Sequence, residues 1–275
     1  MTLDEALSQT QATIATGSDS ARLDAEILLS HVLGLTRTQL RMRGREQLCD
    51  ADANRLAGLS QRRAGREPIA YLTGSQPFWT LDLLVTPAVL VPRPETELLV
   101  EWALELLPKA EPRHVADLGT GSGAIGLAIA VERAQADVTL SDVSEAALAI
   151  ARCNATRAQR VVNFRQGHWW RAFGDARFDL SVSNPPYVAD GDPHLAALHH
   201  EPMLALSDGG DGLQALREII IGAPAHLNSG GSLLVEHGYD QAAAVRKLFA
   251  DAGFAAITTR RDLEGRERAT GGRLP

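Results

Sequence analysis

Four consecutive residues, an asparagine, two prolines and a tyrosine at Asn184–Tyr187, could hold a planar amino group. A proline fixes its own φ, lacks an N–H and pushes the preceding residue towards an extended conformation, so this backbone is stiff. The Asn184 side-chain oxygen and a nearby backbone carbonyl could accept the two hydrogens of an NH2 group, and the Tyr187 ring could stack on its face. A proline-bearing turn after a strand is a common alternative, so the rest of the chain must decide.

A glycine-rich segment provides a second candidate for chemistry. It follows the predicted strand His114–Leu118 and consists of Gly119, Thr120, Gly121, Ser122 and Gly123. Glycines between a strand and a helix allow a tight turn and a close approach of the backbone to a ligand at the helix N-terminus. Nineteen positions after Gly123 comes Asp142, where a carboxylate could accept from both hydroxyls of a ribose. Together they favour a nucleoside-containing ligand.

The elements that must position these residues alternate between strand and helix after Pro112. The predicted strands are His114–Leu118, Val138–Ser141, Val161–Phe164, Phe178–Ser183, Ser232–His237 and Ala255–Thr259. The predicted helices between them are Ala124–Ala134, Glu145–Ala155, Leu213–Leu227 and Gln241–Ala252. This alternation predicts an α/β, Rossmann-like domain, a mostly parallel sheet with helices on both faces. The short extended piece Arg266–Thr270 is predicted to add an edge strand.

The position of the Asn184–Tyr187 segment separates two classes of nucleoside ligand. In a doubly wound sheet the carboxyl ends of the central strands share one crevice, so this segment should face the glycine-rich turn. Dinucleotides and S-adenosylmethionine both suit such a turn. A segment that holds an amino group, here called the clamp (Asn184–Tyr187), has no evident use in a hydride-transfer enzyme. An enzyme that methylates nitrogen does have a use for it. The pattern therefore favours a methyl-transfer site.

The N-terminal part of the chain has a different texture. Residues 1–74 are predicted to form a small helical bundle, and no catalytic constellation is found in them. Residues 75–94 are predicted to be a hairpin linker, with extended segments Phe78–Val85 and Ala88–Val91 on either side of Thr86-Pro87. A helix from about Glu95 to Leu107 then opens the domain at 95–275.

Composition and charge exclude several classes of protein. The chain has 275 residues with 45% hydrophobic and 22% charged residues, as in a globular protein. Its two distant cysteines predict neither a disulfide framework nor a metal site. The net charge of −7 argues against nucleic acid as the primary ligand. No signal peptide or membrane-spanning run is found, so we expect a cytoplasmic protein without membrane contact.

Positive charge is nevertheless concentrated near the N-terminus. The stretch Arg37–Arg66 contains eight arginines and only three acidic residues, Glu46, Asp50 and Asp52. Two interpretations remain open for this surplus. It is either a solvated helix face or a docking surface for an acidic partner.

The combined motifs resemble the amino methyltransferases that use S-adenosylmethionine. Further motifs narrow the resemblance to the HemK/PrmC family, the protein-glutamine N5-methyltransferases of peptide chain release factors. These motifs are Pro92–Glu97, Glu201-Pro202, Gly209–Leu213 and Gly265–Arg268. The resemblance covers essentially the whole chain, and the Pro92–Glu97 stretch is its most specific part.

The resemblance implies a substrate and a set of site residues. The substrate would be the glutamine of the Gly-Gly-Gln motif in class 1 release factors, with the helical N-terminus as its docking domain. The donor, S-adenosylmethionine, would contact the Gly119–Gly123 turn, Asp142, Trp169 and Asn184. The glutamine amide would be held by Asn184, Pro185, Pro186 and Tyr187, with Asn184, Pro185 and Tyr187 catalytic.

One position departs from the family pattern. The family often has an acid directly before the tryptophan that matches Trp169, and this chain has His168 there. A carboxylate that would accept from the adenine amino group is therefore not found at this position. We interpret the next residue, Trp170, as a core residue.

Two alternative functions fit the same residues. A nucleic-acid methyltransferase acting on an adenine or guanine amino group could use the same clamp, although no base-reading domain is evident. A non-catalytic nucleoside-binding module on the same fold is the other alternative, since a fold does not determine a function.

Overall fold

The computed structural model describes all 275 residues, which form two compact units, Met1–Ser75 and Gln76–Pro275. The first unit is helical, as the sequence predicts. Its helices are α1 (Leu3–Ile14), α2 (Ala21–Leu33), α3 (Arg37–Met42), α4 (Asp50–Ala64) and α5 (Ile69–Thr73). Leucines and other aliphatic side chains from these helices form its core. Across the whole chain, no helix combines the length and apolarity needed to cross a bilayer.

Most of the clustered arginines of the first unit are already paired. Six of the eight between Arg37 and Arg66 form ion pairs with acidic residues of the same unit. Arg63, for example, has 15% of its side chain exposed and lies 2.7 Å from the Asp24 carboxylate. Arg45 and Arg66 are exposed and lie in no ion pair. Much of the positive surplus therefore stabilises the unit internally.

A two-stranded hairpin, β1 (Ser75–Phe78) and β2 (Leu81–Leu84), precedes the main sheet. The turn lies at Trp79, which adopts a φ of +56°, so the second strand begins earlier than the sequence predicts. The predicted extended segment Ala88–Val91 is not a strand, and that prediction is wrong. A turn closed by the Val89 N–H and the Thr86 carbonyl occupies this position instead.

The main sheet has seven strands in the order β5-β4-β3-β6-β7-β9-β8. Their bounds are β3 (His114–Leu118), β4 (Asp137–Asp142), β5 (Asn163–Gln166), β6 (Phe178–Ser183), β7 (Leu227–Glu236), β8 (Ala255–Arg261) and β9 (Glu267–Arg273). β9 alone runs in the direction opposite to the other six strands. The prediction of a mostly parallel sheet is therefore confirmed.

Helices cover both faces of this sheet, as predicted. They are α6 (Glu97–Leu106), α7 (Ala124–Glu132), α8 (Glu145–Arg157), α10 (Gln214–His226) and α11 (Ala242–Asp251), and a short helix that was not predicted, α9 (Met203–Leu206), precedes α10. One apolar cluster joins the sheet to α6, α7 and α8, and a second joins it to α10 and α11. Alternate side chains of β3, such as Val115 and Ala116, enter the two different clusters, as the period of two along a strand requires.

The last strand corrects a prediction. The sequence predicts an edge strand at Arg266–Thr270, but β9 lies inside the sheet between β7 and β8, and β8 forms the edge. Two glycines allow this position. A Cβ at Gly271 would lie 2.4 Å from the Leu234 side chain, and one at Gly272 would lie 2.9 Å from the Phe249 ring. A smaller correction concerns β5, which begins two residues later than predicted, at Asn163, where pairing with β4 starts; Val161 is fully exposed.

The sheet topology brings the two candidate segments together. From β3 the chain continues to β4 and then β5 on one side of β3, and it then crosses to β6 on the opposite side of β3. The strand order therefore reverses between β3 and β6. The last residues of these two strands, Leu118 and Ser183, are register partners. The residues that follow them therefore emerge side by side, at the crevice where this class of sheet binds ligands.

Candidate active site

The glycine-rich turn is held in place by backbone hydrogen bonds. The Thr120 N–H donates to the Ser141 carbonyl at 2.8 Å, which ties the turn to the end of β4. Gly119 has a φ of +68°, and a Cβ there would lie 3.0 Å from the Trp169 ring. Only glycine combines this backbone conformation with so close a neighbour. The turn therefore presents bare backbone to the space in front of it.

Asp142 connects this turn to the end of β4. One carboxylate oxygen accepts from the Gly121 N–H and the other from the Ser144 N–H, both at 2.9 Å. Burial raises the pKa of Asp142, and these backbone N–H groups oppose the rise. Each carboxylate oxygen can accept a second hydrogen bond, so the group could receive two adjacent hydroxyls.

Asp117 is a residue of the site region that sequence analysis missed. One of its oxygens accepts from the Thr120 hydroxyl at 2.6 Å and from the Gly126 N–H at 2.9 Å, while Oδ1 has no partner. Burial raises the pKa of Asp117 to about 6. The residue fastens the glycine-rich turn to α7. An acid between the apolar residues Ala116 and Leu118 of a predicted strand was the signal that could have identified it.

A cavity of about 270 Å³ lies in front of the turn. The predicted site residues on its wall are Gly119, Thr120, Gly121, Ser122, Asp142, Trp169, Asn184 and Pro186. Three predicted residues do not line it: Gly123, Pro185 and Tyr187. Gly123 instead caps α7 at a φ of +86°, where a Cβ would lie 2.9 Å from the Leu127 side chain. No group of three or more histidine, cysteine or acidic side chains is arranged to hold a metal ion.

Asn184 is oriented by a residue from a different part of the chain. Its amide nitrogen donates to the Thr96 hydroxyl at 3.1 Å. Thr96 is buried directly before α6 and belongs to the Pro92–Glu97 motif, to which the sequence assigned no contact with Asn184. This bond uses the nitrogen side of the amide and leaves Oδ1 available to an incoming donor. The Pro185 carbonyl, one residue further, also receives no hydrogen bond from the chain.

Tyr187 is fixed at both ends rather than pointing into the cavity. Its hydroxyl donates to the Glu236 carboxylate at 3.1 Å, and its carbonyl accepts from the Gln241 side chain at 2.9 Å. A Cβ at Gly212 would lie 2.4 Å from that carbonyl, which explains the glycine in the segment Gly209–Leu213. Burial raises the pKa of the Tyr187 hydroxyl, which therefore stays protonated. The tyrosine stiffens the segment that carries Asn184.

Glu236 is a second residue that sequence analysis missed. It is buried at the end of β7, and its Oε2 has no hydrogen-bond partner. Burial raises its pKa to about 7, opposed in part by the nearby Thr96 and Tyr187 hydroxyls and by Arg268, while Glu95 adds to the rise. A buried carboxylate is therefore placed where it contacts the tyrosine of the clamp.

This raised pKa predicts a pH-dependent stability. Because the folded protein holds the proton of Glu236 more tightly than the unfolded chain, stability should be lost as pH rises from about 4.5 through about 7. The loss amounts to about 3 kcal/mol at most. In urea unfolding at several pH values, Glu236→Gln should lack this part of the pH dependence. If the free energies of unfolding of wild type and variant, plotted against pH, remain parallel from about pH 4 to about pH 8, the assignment is contradicted.

The Pro92–Glu97 and Glu201-Pro202 motifs form one structural unit. The Glu201 carboxylate pairs with the Arg93 guanidinium and accepts from the Val91 N–H at 3.0 Å. Glu201 is buried, so removing Arg93 would leave the Glu201 charge uncompensated. Pro92 and Pro202 both line the cavity. The two motifs therefore hold part of its wall together.

The two tryptophans after β5 have different roles. Trp169 is half-buried on the cavity wall, next to His168, with the two ring centroids 5.4 Å apart. Trp170 is buried in the core, donates to the Ile219 carbonyl at 2.8 Å and stacks on His226. The interpretation of Trp170 as a core residue is confirmed.

Comparison with known proteins agrees with this architecture. Residues 5–74 match the family described as PrmC N-terminal domain, and residues 95–258 match the methyltransferase small domain. Among solved structures, the hMettl16 catalytic domain in complex with MAT2A 3'UTR hairpin 1 superposes with a TM-score of 0.58. It has 14% identity and covers 84% of this chain and 83% of that one. At this identity the likeness concerns the fold alone.

Two curated relatives are similar over almost their whole length. A release factor glutamine methyltransferase from Xylella fastidiosa is 53% identical, covering 92% of this chain and 94% of that protein. One from Burkholderia pseudomallei is 50% identical, covering 97% of this chain and 96% of that protein. Coverage at this level includes both units of the chain. The chain is a methyltransferase and belongs to the release factor glutamine methyltransferase family.

Proposed function

We propose that this enzyme transfers a methyl group from S-adenosylmethionine to the side-chain amide nitrogen of a glutamine. The substrate is the Gly-Gly-Gln motif of class 1 peptide chain release factors. One observation carries the proposal: the Asn184 amide, turned by Thr96 so that Oδ1 is available, shares a cavity with the glycine-rich turn and Asp142. An acceptor for an amino group thus adjoins a site suited to a nucleoside.

The cavity residues fit the donor. The Asp142 carboxylate can accept from the two ribose hydroxyls while retaining its bonds to Gly121 and Ser144. The bare backbone at Gly119 allows the donor to approach, and the Trp169 ring offers a flat apolar wall. When bound, S-adenosylmethionine supplies a methyl group whose bond to the sulfonium sulfur breaks as a bond to nitrogen forms, with release of one amide proton.

The clamp residues address the weak nucleophilicity of a carboxamide. Its nitrogen lone pair is delocalised into the carbonyl, so the nitrogen must be oriented for attack. Asn184 Oδ1 and the Pro185 carbonyl accept the two N–H hydrogens and direct the nitrogen towards the donor. Such positioning contributes about 7–11 kcal/mol at most. Both acceptors also interact more strongly as positive charge develops on the nitrogen.

We also propose that the first unit, Met1–Ser75, docks the release factor. Arg45 and Arg66 are its exposed arginines that lie in no ion pair, and they are therefore the positive charges available to an acidic partner. The other arginines of the Arg37–Arg66 stretch form ion pairs with acidic residues of the same unit. A docking role predicts that intact release factor is a much better substrate than a short peptide with the same Gly-Gly-Gln motif.

Mass spectrometry tests both proposals in one experiment. The enzyme and S-adenosylmethionine are incubated in parallel with intact release factor, the short peptide, RNA and DNA. We expect a single methyl mass shift on the Gly-Gly-Gln peptide of the intact factor and little product on the free peptide. A methyl mass shift on RNA or DNA instead would support the nucleic-acid alternative and overturn the proposed substrate. Equal rates on intact factor and peptide would remove the docking role alone.

A further inference from the structure

An acidic residue from another element of the fold lies beside His168, the position where the sequence departs from the family pattern. Glu218, from the first turns of α10, lines the same cavity as His168 and Trp169. Its Oε2 lies 3.5 Å from the His168 Nδ1, and its Oε1 lies 3.5 Å from the Gln214 side-chain nitrogen. The cavity wall next to Trp169 therefore has a carboxylate, although the sequence around Trp169 contains none.

Packing fixes the position of Glu218 relative to Trp169. The indole of Trp170 donates to the carbonyl of Ile219, the residue directly after Glu218. One turn further along α10, a Cβ at Gly222 would lie 2.4 Å from the same indole ring. These contacts lock the register of α10 against the segment that carries His168 and Trp169. The juxtaposition is thus built into the core.

Glu218 is the cavity carboxylate with the most free acceptor capacity. Three carboxylates line the cavity: Asp142, Asp208 and Glu218. Asp142 accepts from two backbone N–H groups, and Asp208 accepts from the backbone of Gly210, Gly212 and Gln214. Glu218 receives no backbone N–H, and its neighbours are side chains that can rearrange. It is free to accept from a ligand.

We propose that the Glu218 carboxylate accepts a hydrogen bond from the exocyclic amine of the donor's adenine, with His168 orienting it. A carboxylate offers only acceptors, whereas a neutral imidazole offers one acceptor and one donor, so Glu218 suits an NH2 group better than His168 does. Trp169 provides the adjoining flat surface. The acid missing before Trp169 is replaced by one from α10. This inference rests on the proposed use of S-adenosylmethionine.

Calorimetric titration with two product analogues tests the assignment. S-adenosylhomocysteine carries the amine, and S-inosylhomocysteine carries a carbonyl in its place. Because the Glu218 side chain is 44% exposed, we expect wild type to prefer the adenosyl compound by about tenfold, the lower end for a charge-assisted hydrogen bond. In Glu218→Gln the amide can donate to the carbonyl, so this preference should fall to about one or invert.

Two further variants complete the experiment. Glu101→Gln changes an exposed glutamate of α6 outside the cavity and should keep the wild-type preference. A wild-type preference retained by Glu218→Gln but lost in His168→Ala would overturn the proposal in favour of His168. Equal binding of both compounds to wild type would also overturn it. No binding of S-adenosylhomocysteine to wild type would instead count against the proposed function itself.

Discussion

Replacing Asn184 by alanine is expected to lower kcat for release factor by about 10³-fold or more, with little change in the Kd of S-adenosylhomocysteine. The substitution removes one of the two acceptors that orient the glutamine nitrogen, and orientation is the main catalytic contribution assigned to this site. A loss of 10³-fold corresponds to about 4 kcal/mol in the activation barrier. Single-turnover methylation and calorimetric titration would measure the two quantities separately.

Thr96 offers a graded form of the same experiment. Thr96→Ala removes the acceptor that holds the Asn184 amide nitrogen at 3.1 Å, so the amide can turn and kcat should fall by about 10-fold. Thr96→Ser keeps the hydroxyl and should restore most of the activity. Asn163→Ala, at an exposed asparagine of β5, is the matched control for Asn184→Ala and should leave methylation unchanged. Near wild-type turnover in Asn184→Ala would refute the role of the clamp.

Asp142→Asn is expected to weaken the binding of S-adenosylhomocysteine by about 100-fold. Hydrogen bonds to a charged acceptor are worth about 1.5–3 kcal/mol each, and the substitution removes the charge. It also turns an NH2 group towards the Gly121 or Ser144 N–H, which places two donors face to face. The glycine-rich turn would then lose one of its anchors. Calorimetric titration of the purified variant gives the Kd directly.

The same strand provides the control for this substitution. Asp137→Asn makes the identical chemical change at the opposite end of β4, where the carboxylate is exposed and contacts Asn163 and His114. It should bind the product analogue as wild type does. Thermal unfolding of both variants checks that the fold is retained. If Asp142→Asn and Asp137→Asn bind equally well, Asp142 does not contact the ribose.

Local sequence was sufficient for several parts of the fold. The alternation of strands and helices after Pro112 depends on residue patterns within short windows, and it correctly indicated a mostly parallel sheet. The reversal of strand order then follows from the rules of α/β topology. These rules predict that Asp142 and Asn184 lie at one crevice, and both line the same cavity.

Other features depended on contacts between distant residues. Thr96 and Asn184 are 88 positions apart, and Tyr187 and Glu236 are 49 apart, so no local pattern links them. Likewise the interior position of β9 depends on the space that Leu234 and Phe249 leave beside its glycines.

The sequence by itself determined the groups for chemistry at Asn184–Tyr187, because residue types and turn propensities are local properties. It also identified the strand-to-helix turn at Gly119–Gly123 and the acid that closes the next strand. Only the tertiary structure decided how the Asn184 amide is oriented and which carboxylate stands beside Trp169. Hydrogen bonds and packing across the sheet make those choices, since the partner side chains become neighbours only when the chain folds.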